Sequence, residues 1–342
     1  MSLPRTRAHI PLLATLVIAC GSNRVTSTDA AAQPRDAGAR TSDAAKPHDS
    51  GVHARDTGAD AGGNDAMNPA ADAAPDAAVI GGDRPVPIHV PASYEAGHAV
   101  PLVMMLHGYS ASGPIEEAYL DITAQSDARG FIYAYPNGTF DTQGNRFWNA
   151  TDACCNLYGS AVDDSSYLSQ VITEIEARYT IDPKHVFITG HSNGGFMAHR
   201  MACDHADQVA AIVSLEGAMW EDISRCQPSA AVSVVEIHGT ADETIAFDGG
   251  VIGANAYPSA PTTVSDWVGL DGCGTTANTN APNLDLVSSL PDAETTVTNY
   301  PTGCKPGGDV QLWTVQGGTH VPALSATFAS DVVGYLLAHP KP

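Results

Sequence analysis

The sequence predicts an α/β fold, a mostly parallel central sheet with helices on both faces. Three observations lead there. From about residue 81 the chain alternates apolar runs with segments of helical spacing, the pattern of strand–helix–strand units joined by right-handed crossovers. Some apolar runs are continuous, as in "AVPLVMMLHG", and strands buried on both faces read this way. Small, polar and histidine-bearing clusters follow strand after strand, where open α/β sheets gather reactive groups.

The elements follow in order. "VPIHV" and "AVPLVMMLHG" read as strands. "PIEEAYLDITAQSDARG" reads as a helix with a Gly stop, and "FIYAYP" as a strand. "DDSSYLSQVITEIEARYTID" is a helix: Leu168, Val171, Ile172, Ile175 and Tyr179 recur at helical spacing, with Asp163 and Asp164 near the N-cap. "KHVFITG" is a strand, "GGFMAHRMACDHA" a helix, "QVAAIVSLEG" and "AVSVVEIHGT" strands. "TTVSDWVGL" reads as a helix, "DVQLWTV" as a strand and "ATFASDVVGYLLAH" as the last helix. Met104, Met105 and Met201 suit core packing, as do Trp267 and Trp313 within regular elements.

The N-terminal part is different material. Arg5 and Arg7 precede the apolar stretch "IPLLATLVIA", too short to span a bilayer and suited to a signal peptide over residues 1–19. It ends in "LVIAC", which resembles a bacterial lipobox with Cys20 as the lipidated residue. Gly21 rather than Asp after Cys20 fits outer-membrane sorting. The expected location is therefore an outer membrane or cell surface reached through the lipid anchor alone, or the extracellular space if the anchor is lacking. Residues 20–80 are Ala, Asp, Gly and Pro with almost no large apolar side chain. They cannot bury enough surface to offset ordering entropy and read as a disordered tether. A coil of about 60 residues spans roughly 40–45 Å. Residues 81–342 form the expected catalytic domain.

The chain carries 38 acidic against 16 basic side chains, a formal charge of −22. A phosphate-backbone binder needs the opposite balance, which argues against a nucleic-acid partner. Oligomeric state is not encoded in any pattern here. Beyond Cys20, six cysteines remain. An even number after an export signal argues for disulfides. Short loops favour Cys203–Cys226 and Cys273–Cys304, which leaves the neighbours Cys154 and Cys155. Adjacent Cα atoms sit about 3.8 Å apart across a trans peptide, below the usual disulfide range. No spacing resembles a zinc cluster, and no cofactor is called for.

Four clusters sit just past strands: His107 to Ser110, Gly190 to Gly194, His238 to Asp242, and Gln316 to His320. Gly190-His191-Ser192-Asn193-Gly194 fits the G-x-S-x-G nucleophile elbow, with a strand before it and a helix after. A serine hydroxyl needs a base. Asp242 and His320 follow in the order Ser…Asp…His that this fold uses. Asp248 lies further into its loop, Asp266 and Asp271 read as helix-surface residues, and His339 reads as solvent-facing. His191 and His238 read as structural residues of their loops. The backbone N–H groups of Asn193 and Tyr109, with Ser110 as the alternative to Tyr109, are the expected oxyanion donors. Trp148 is weighed equally as a pocket wall and as a core aromatic.

With these residues in view, "LHGYSASG", "YPNGTFDTQGNRFWNATDACC", "VDDSSYLSQVI", "VFITGHSNGGFMAHRMAC", "IHGTADETIAFDGG", "DWVGLDGCG" and "GGTH" together resemble the polyhydroxybutyrate depolymerase-like esterases. These are secreted α/β-hydrolases related to feruloyl and acetylxylan esterases, and the resemblance covers nearly all of residues 84–342. It implies a serine carboxylic-ester hydrolase with Ser192, Asp242 and His320 as triad, no cofactor, and an ester substrate, small or oligomeric. Where relatives often carry Trp-Pro after the catalytic His, this chain has "HVPALS".

Overall fold

In a computed structural model, residues 79–342 are described. The expected signal segment, Cys20 and the expected tether up to residue 78 lie outside the described residues. The strands are β1 (Ile88–His89), β2 (Val100–Leu106), β3 (Ile132–Ala134), β4 (Thr139–Phe140), β5 (Arg146–Phe147), β6 (Ile181–His191), β7 (Ala211–Leu215), β8 (Ser233–Gly239), β9 (Gly250–Ile252), β10 (Asn255–Tyr257), β11 (Thr295–Asn299) and β12 (Val310–Val315). The helices are α1 (Gly113–Leu120), α2 (Thr123–Arg129), α3 (Asp164–Arg178), α4 (Asn193–Asp204), α5 (Ala260–Leu270) and α6 (Phe328–Ala338).

Eight strands form one sheet in the order β1-β3-β2-β6-β7-β8-β12-β11. Its centre is parallel, and only the edge strands β1 and β11 run antiparallel to their neighbours. Successive residues of a strand face opposite sides of a sheet. In β2, Leu102, Met104 and Leu106 accordingly enter one core cluster, while Val103 and Met105 enter a second. The first cluster is closed by Leu168, Val171 and Ile175 of α3, Phe196 and Met201 of α4, and Val264 and Trp267 of α5. The second is closed mainly by Phe328, Val332 and Leu336 of α6. Both faces are therefore covered, and the continuous apolar runs of the sequence have their physical reason.

The segment read as a single helix over 114–130 is two. α1 ends at Asp121, whose φ of 53° is left-handed, a conformation a short polar side chain tolerates. Leu120 and Ile122 both enter the second cluster, and residues two apart do not share a helix face. Breaking the helix lets both be buried. Asp271 also departs from its reading as a surface residue. It caps α5 fully buried, and burial pushes its carboxyl up to about 7. His339 is half-buried, with its ring on the Tyr335 carbonyl.

Cys203–Cys226 ties the end of α4 to the segment after β7, and Cys273–Cys304 ties the end of α5 to the β11–β12 connection. Closing loops of this length contributes about 3–4 kcal/mol each in the chain-entropy account. Cys154 and Cys155 are bonded to one another across a cis peptide. No helix among the described residues is long and apolar enough to cross a membrane.

Candidate active site

The centre of the site is the junction of β6 and α4. Ser192 is the only residue between them and sits at φ 55°, ψ −119°, a backbone region that costs a non-glycine residue about 1–3 kcal/mol. The turn is closed by backbone contacts. A Cβ on Gly190 would collide with the Gly194 carbonyl, and one on Gly194 would collide with the Leu106 carbonyl. We expect Gly194→Ala to lower stability by about 1–3 kcal/mol as an overpacked site. Gly269, exposed on α5 with nothing near its Cβ position, is the control. Gly269→Ala should stabilise by about 0.5–1 kcal/mol through helix propensity. Urea midpoints measure both, and equal effects would remove the steric account of the turn.

Ser192 Oγ lies 2.9 Å from His320 Nε2, and His320 Nδ1 lies 2.7 Å from Asp242 Oδ2. A carboxylate only accepts, so Nδ1 carries the hydrogen and Nε2 is left to accept from the serine hydroxyl. Asp242 is fixed from the other side, because its Oδ1 accepts from the N–H groups of Thr244 and Ile245 at 2.7 and 2.9 Å. Burial opposes ionisation of Asp242, but the His320 hydrogen bond and charge outweigh it and hold the carboxyl below its ordinary value. Burial, the largest influence, depresses His320; its bond to Asp242 opposes this, and the charge of His191 adds to the depression. The ring is thus held neutral further into acid than an ordinary histidine.

The β2–α1 loop faces this pair. A Cβ on Gly108 would lie 3.5 Å from Ser192 Cβ. Among the described residues, neither the Tyr109 N–H nor the Asn193 N–H has a backbone or side-chain acceptor, whereas the Ser110 N–H is taken by the Arg146 carbonyl at 2.8 Å. His107 braces the loop by accepting from Gly138 N–H and donating to the Gly108 carbonyl. Burial lowers its pKa to about 4, which keeps it neutral. Trp148 is fully buried, with its indole donating to the His107 carbonyl at 3.0 Å. It supports the site from beneath instead of lining an open pocket.

The sequence marks His191 and His238 as structural residues of their loops, but their buried neighbours Glu116, His199, Glu216 and Glu236 escaped it. His191 reaches both Glu116 and the His320 carbonyl. Glu216 follows β7 with φ 55° and accepts the Gly239 N–H. Glu236, inside β8, accepts from His199 Nε2 and His238 Nδ1, both at 2.9 Å. His199 Nδ1 accepts from the Trp267 indole, which fixes its tautomer. Glu236 was open to detection as a lone charge in an apolar strand, and Glu216 by its place at a strand end. Glu116 offered no signal, since an acid on a short helix reads as surface.

Glu216, His238 and Asp242 bring potential metal-ligand atoms within 4.8 Å of one another. His238 does not suit that role. Its Nδ1 faces Glu236 and its Nε2 faces the Ile245 carbonyl, and both partners only accept, so neither nitrogen keeps a lone pair. Burial opposes this charge, but Glu216 and Glu236 outweigh it and bring the ring up to about 9. Burial also pushes the Glu216 carboxyl well above its usual range, with Asp242 adding to the rise.

A covered parallel sheet with a serine on a strand-to-helix turn, backed by a histidine and a buried aspartate, defines an α/β-hydrolase. The chain belongs to the esterase family: the family model described as "Putative esterase" matches residues 77–255. Feruloyl esterase B of Piromyces equi is 24% identical over 247 residues, 69% of this chain and 42% of that one. Poly(3-hydroxyalkanoate) depolymerase C of Paucimonas lemoignei is 26% identical over 221 residues, 62% of this chain and 51% of that one. The chain thus spans about half the length, or less, of these two relatives. The solved acetyl xylan esterase from Aspergillus awamori superposes with a TM-score of 0.53 at 18% identity, covering 73% of this chain and 93% of that one. That likeness establishes the fold.

Proposed function

We propose that this protein is an exported serine carboxylic-ester hydrolase. The observation that carries the reading is the unbroken chain from Ser192 Oγ through His320 to Asp242, at 2.9 and 2.7 Å. Ser192 Oγ attacks the ester carbonyl while His320 Nε2 takes its proton, and Asp242 stabilises the imidazolium so formed. The N–H groups of Tyr109 and Asn193 receive the oxyanion. Collapse expels the alcohol, which takes the proton from His320. Water, deprotonated by the same ring, then releases the acid and restores the serine.

Hydroxyalkanoate esters or oligomers are the substrate class favoured here. Likeness to the depolymerase supports this, and so do exposed apolar side chains. Ile115, Phe140, Leu157, Val251 and Val321 all belong to segments that follow the carboxyl ends of sheet strands. Exposed apolar groups on these segments suit an aliphatic polyester chain. Likeness to the feruloyl esterase supports plant-polysaccharide esters as the second reading. Three disulfides support export, since they persist in oxidising compartments. Lipid anchoring through Cys20 is part of the proposal, and an unmodified Cys20 in the intact mass of the mature protein rejects it.

A panel of p-nitrophenyl acyl esters, hydroxybutyrate oligomers, methyl ferulate and acetylated xylan tests the assignment. Hydroxybutyrate oligomers should give the highest kcat/KM. Preference for methyl ferulate or acetylated xylan selects the second reading. Absence of both turnover and fluorophosphonate labelling rejects the hydrolase and favours a surface-binding lipoprotein on this fold.

A further inference from the structure

His191 precedes the proposed nucleophile, yet its ring turns away from it into a buried arrangement that the reaction above does not use. Nδ1 lies 3.1 Å from Glu116 Oε1, and Nε2 lies 2.8 Å from the carbonyl oxygen of His320. The other oxygen of Glu116 accepts the Gly108 N–H at 3.0 Å. Gly108 is the residue before Tyr109, whose N–H faces the oxyanion. One acid–imidazole pair therefore touches three parts of the site: the oxyanion loop through Gly108, the elbow through its own backbone, and the base-bearing loop through the His320 carbonyl. Both groups are buried, with side-chain exposures of 8% and 4%.

Hydrogen-bond geometry fixes one hydrogen: Nε2 donates to the His320 carbonyl. On the other side one proton is shared between Nδ1 and Glu116 Oε1, and with that proton on the ring the pair is an imidazolium facing a carboxylate. The ring centre of His191 is 5.1 Å from that of His320.

We propose that Glu116 and His191 are positioning residues, an ion-paired strut that fixes the backbone of His320 against the oxyanion loop. The inference rests on the ester-hydrolase reading of Ser192 and His320. The charged and titratable groups around His320 are Asp242 from the loop after β8, His238 from β8, Glu216 after β7, and His191 from β6 with Glu116 of α1 behind it. Burial opposes the charge on His191, and Glu116 outweighs it, so the ring is raised above its ordinary value. Glu116 is likewise held below its ordinary value against its burial, chiefly by His191.

Two variants separate the strut from simple packing. Glu116→Ala removes it. Misplacing a reacting group by about 1 Å can cost about 10²-fold, so kcat should fall by about that factor with KM little changed. Glu116→Gln keeps a neutral strut. Its oxygen can still accept from Gly108, its amide can donate to His191 Nδ1, and Nε2 still donates to the His320 carbonyl. The expected loss is smaller, within about tenfold by the same positional argument. Its signature is in the pH profile. With His191 neutral, the pKa of His320 rises, and the acid limb of kcat/KM moves up by about one unit. Imidazole nitrogen NMR should show two N–H groups on His191 at pH 7 in the wild type and one in Glu116→Gln.

Wild-type kcat in Glu116→Ala would overturn the strut. An unmoved acid limb in Glu116→Gln, or a wild-type His191 with a single N–H, would do the same. If Glu116→Ala fails to fold, the Glu116→Gln profile and the nitrogen spectra still decide. Failure of the wild type to turn over any ester rejects the hydrolase reading instead, and the His191 spectrum then reports on the strut by itself.

Discussion

Ser192→Ala should lower kcat/KM toward p-nitrophenyl esters by about 10⁶-fold, the scale seen when a triad nucleophile is removed. The change leaves the rest of the site in place. His320 keeps its bond to Asp242, and Asp242 keeps both of its backbone donors. What is lost is the oxygen proposed to bond covalently to the acyl carbon. The elbow should survive, because its tightness comes from Gly190 and Gly194 and not from the serine side chain. The melting temperature should therefore stay close to that of the wild type while fluorophosphonate labelling vanishes. Labelling that persists in the variant would place the nucleophile elsewhere and sink the mechanism. A variant that also unfolds would show that the hydroxyl bond to His320 is needed for folding, which the geometry gives no reason to expect.

The sequence exposed the parts of this molecule in which burial is two-sided. The central strands β2, β7 and β8 and the second half of β6 are buried on both faces, so they read as mostly apolar runs. The edge strand β11, "TTVTN", alternates buried and half-buried positions and escaped notice. The short hairpins β4–β5 and β9–β10 have too few residues to show any period. Ser192, Asp242 and His320 could be proposed together because each stands just past a strand, and the structure brings their side chains together. Glu116 and His191 are 75 residues apart, and nothing local marks them as partners. Their pairing depends on how α1 seats beside β6, which is a property of the folded sheet. Trp148 was ambiguous for a related reason, since an aromatic in a loop looks the same whether it faces solvent or the core.

Asp242→Asn should lower kcat by about 10⁴-fold with little change in KM, as loss of the correct histidine tautomer does in triads of this kind. The structure gives a specific reason. Oδ1 of Asp242 is held by the N–H groups of Thr244 and Ile245. An asparagine must put its carbonyl oxygen there, because an amide NH₂ facing two backbone donors would leave all of them unpaired. Its NH₂ then takes the place of Oδ2, 2.7 Å from His320 Nδ1. Facing a donor, Nδ1 must give up its hydrogen, and the neutral ring carries it on Nε2, pointed at Ser192 Oγ. The base is disabled although every heavy atom keeps its place. Glu216 does not take over. Both of its carboxyl oxygens are held by the Gly239 N–H, and it makes no hydrogen bond to His320. Imidazole nitrogen NMR of the variant should show the hydrogen of His320 moved from Nδ1 to Nε2. A loss of less than about tenfold would mean that another group, Glu216 first, orients His320 in place of Asp242.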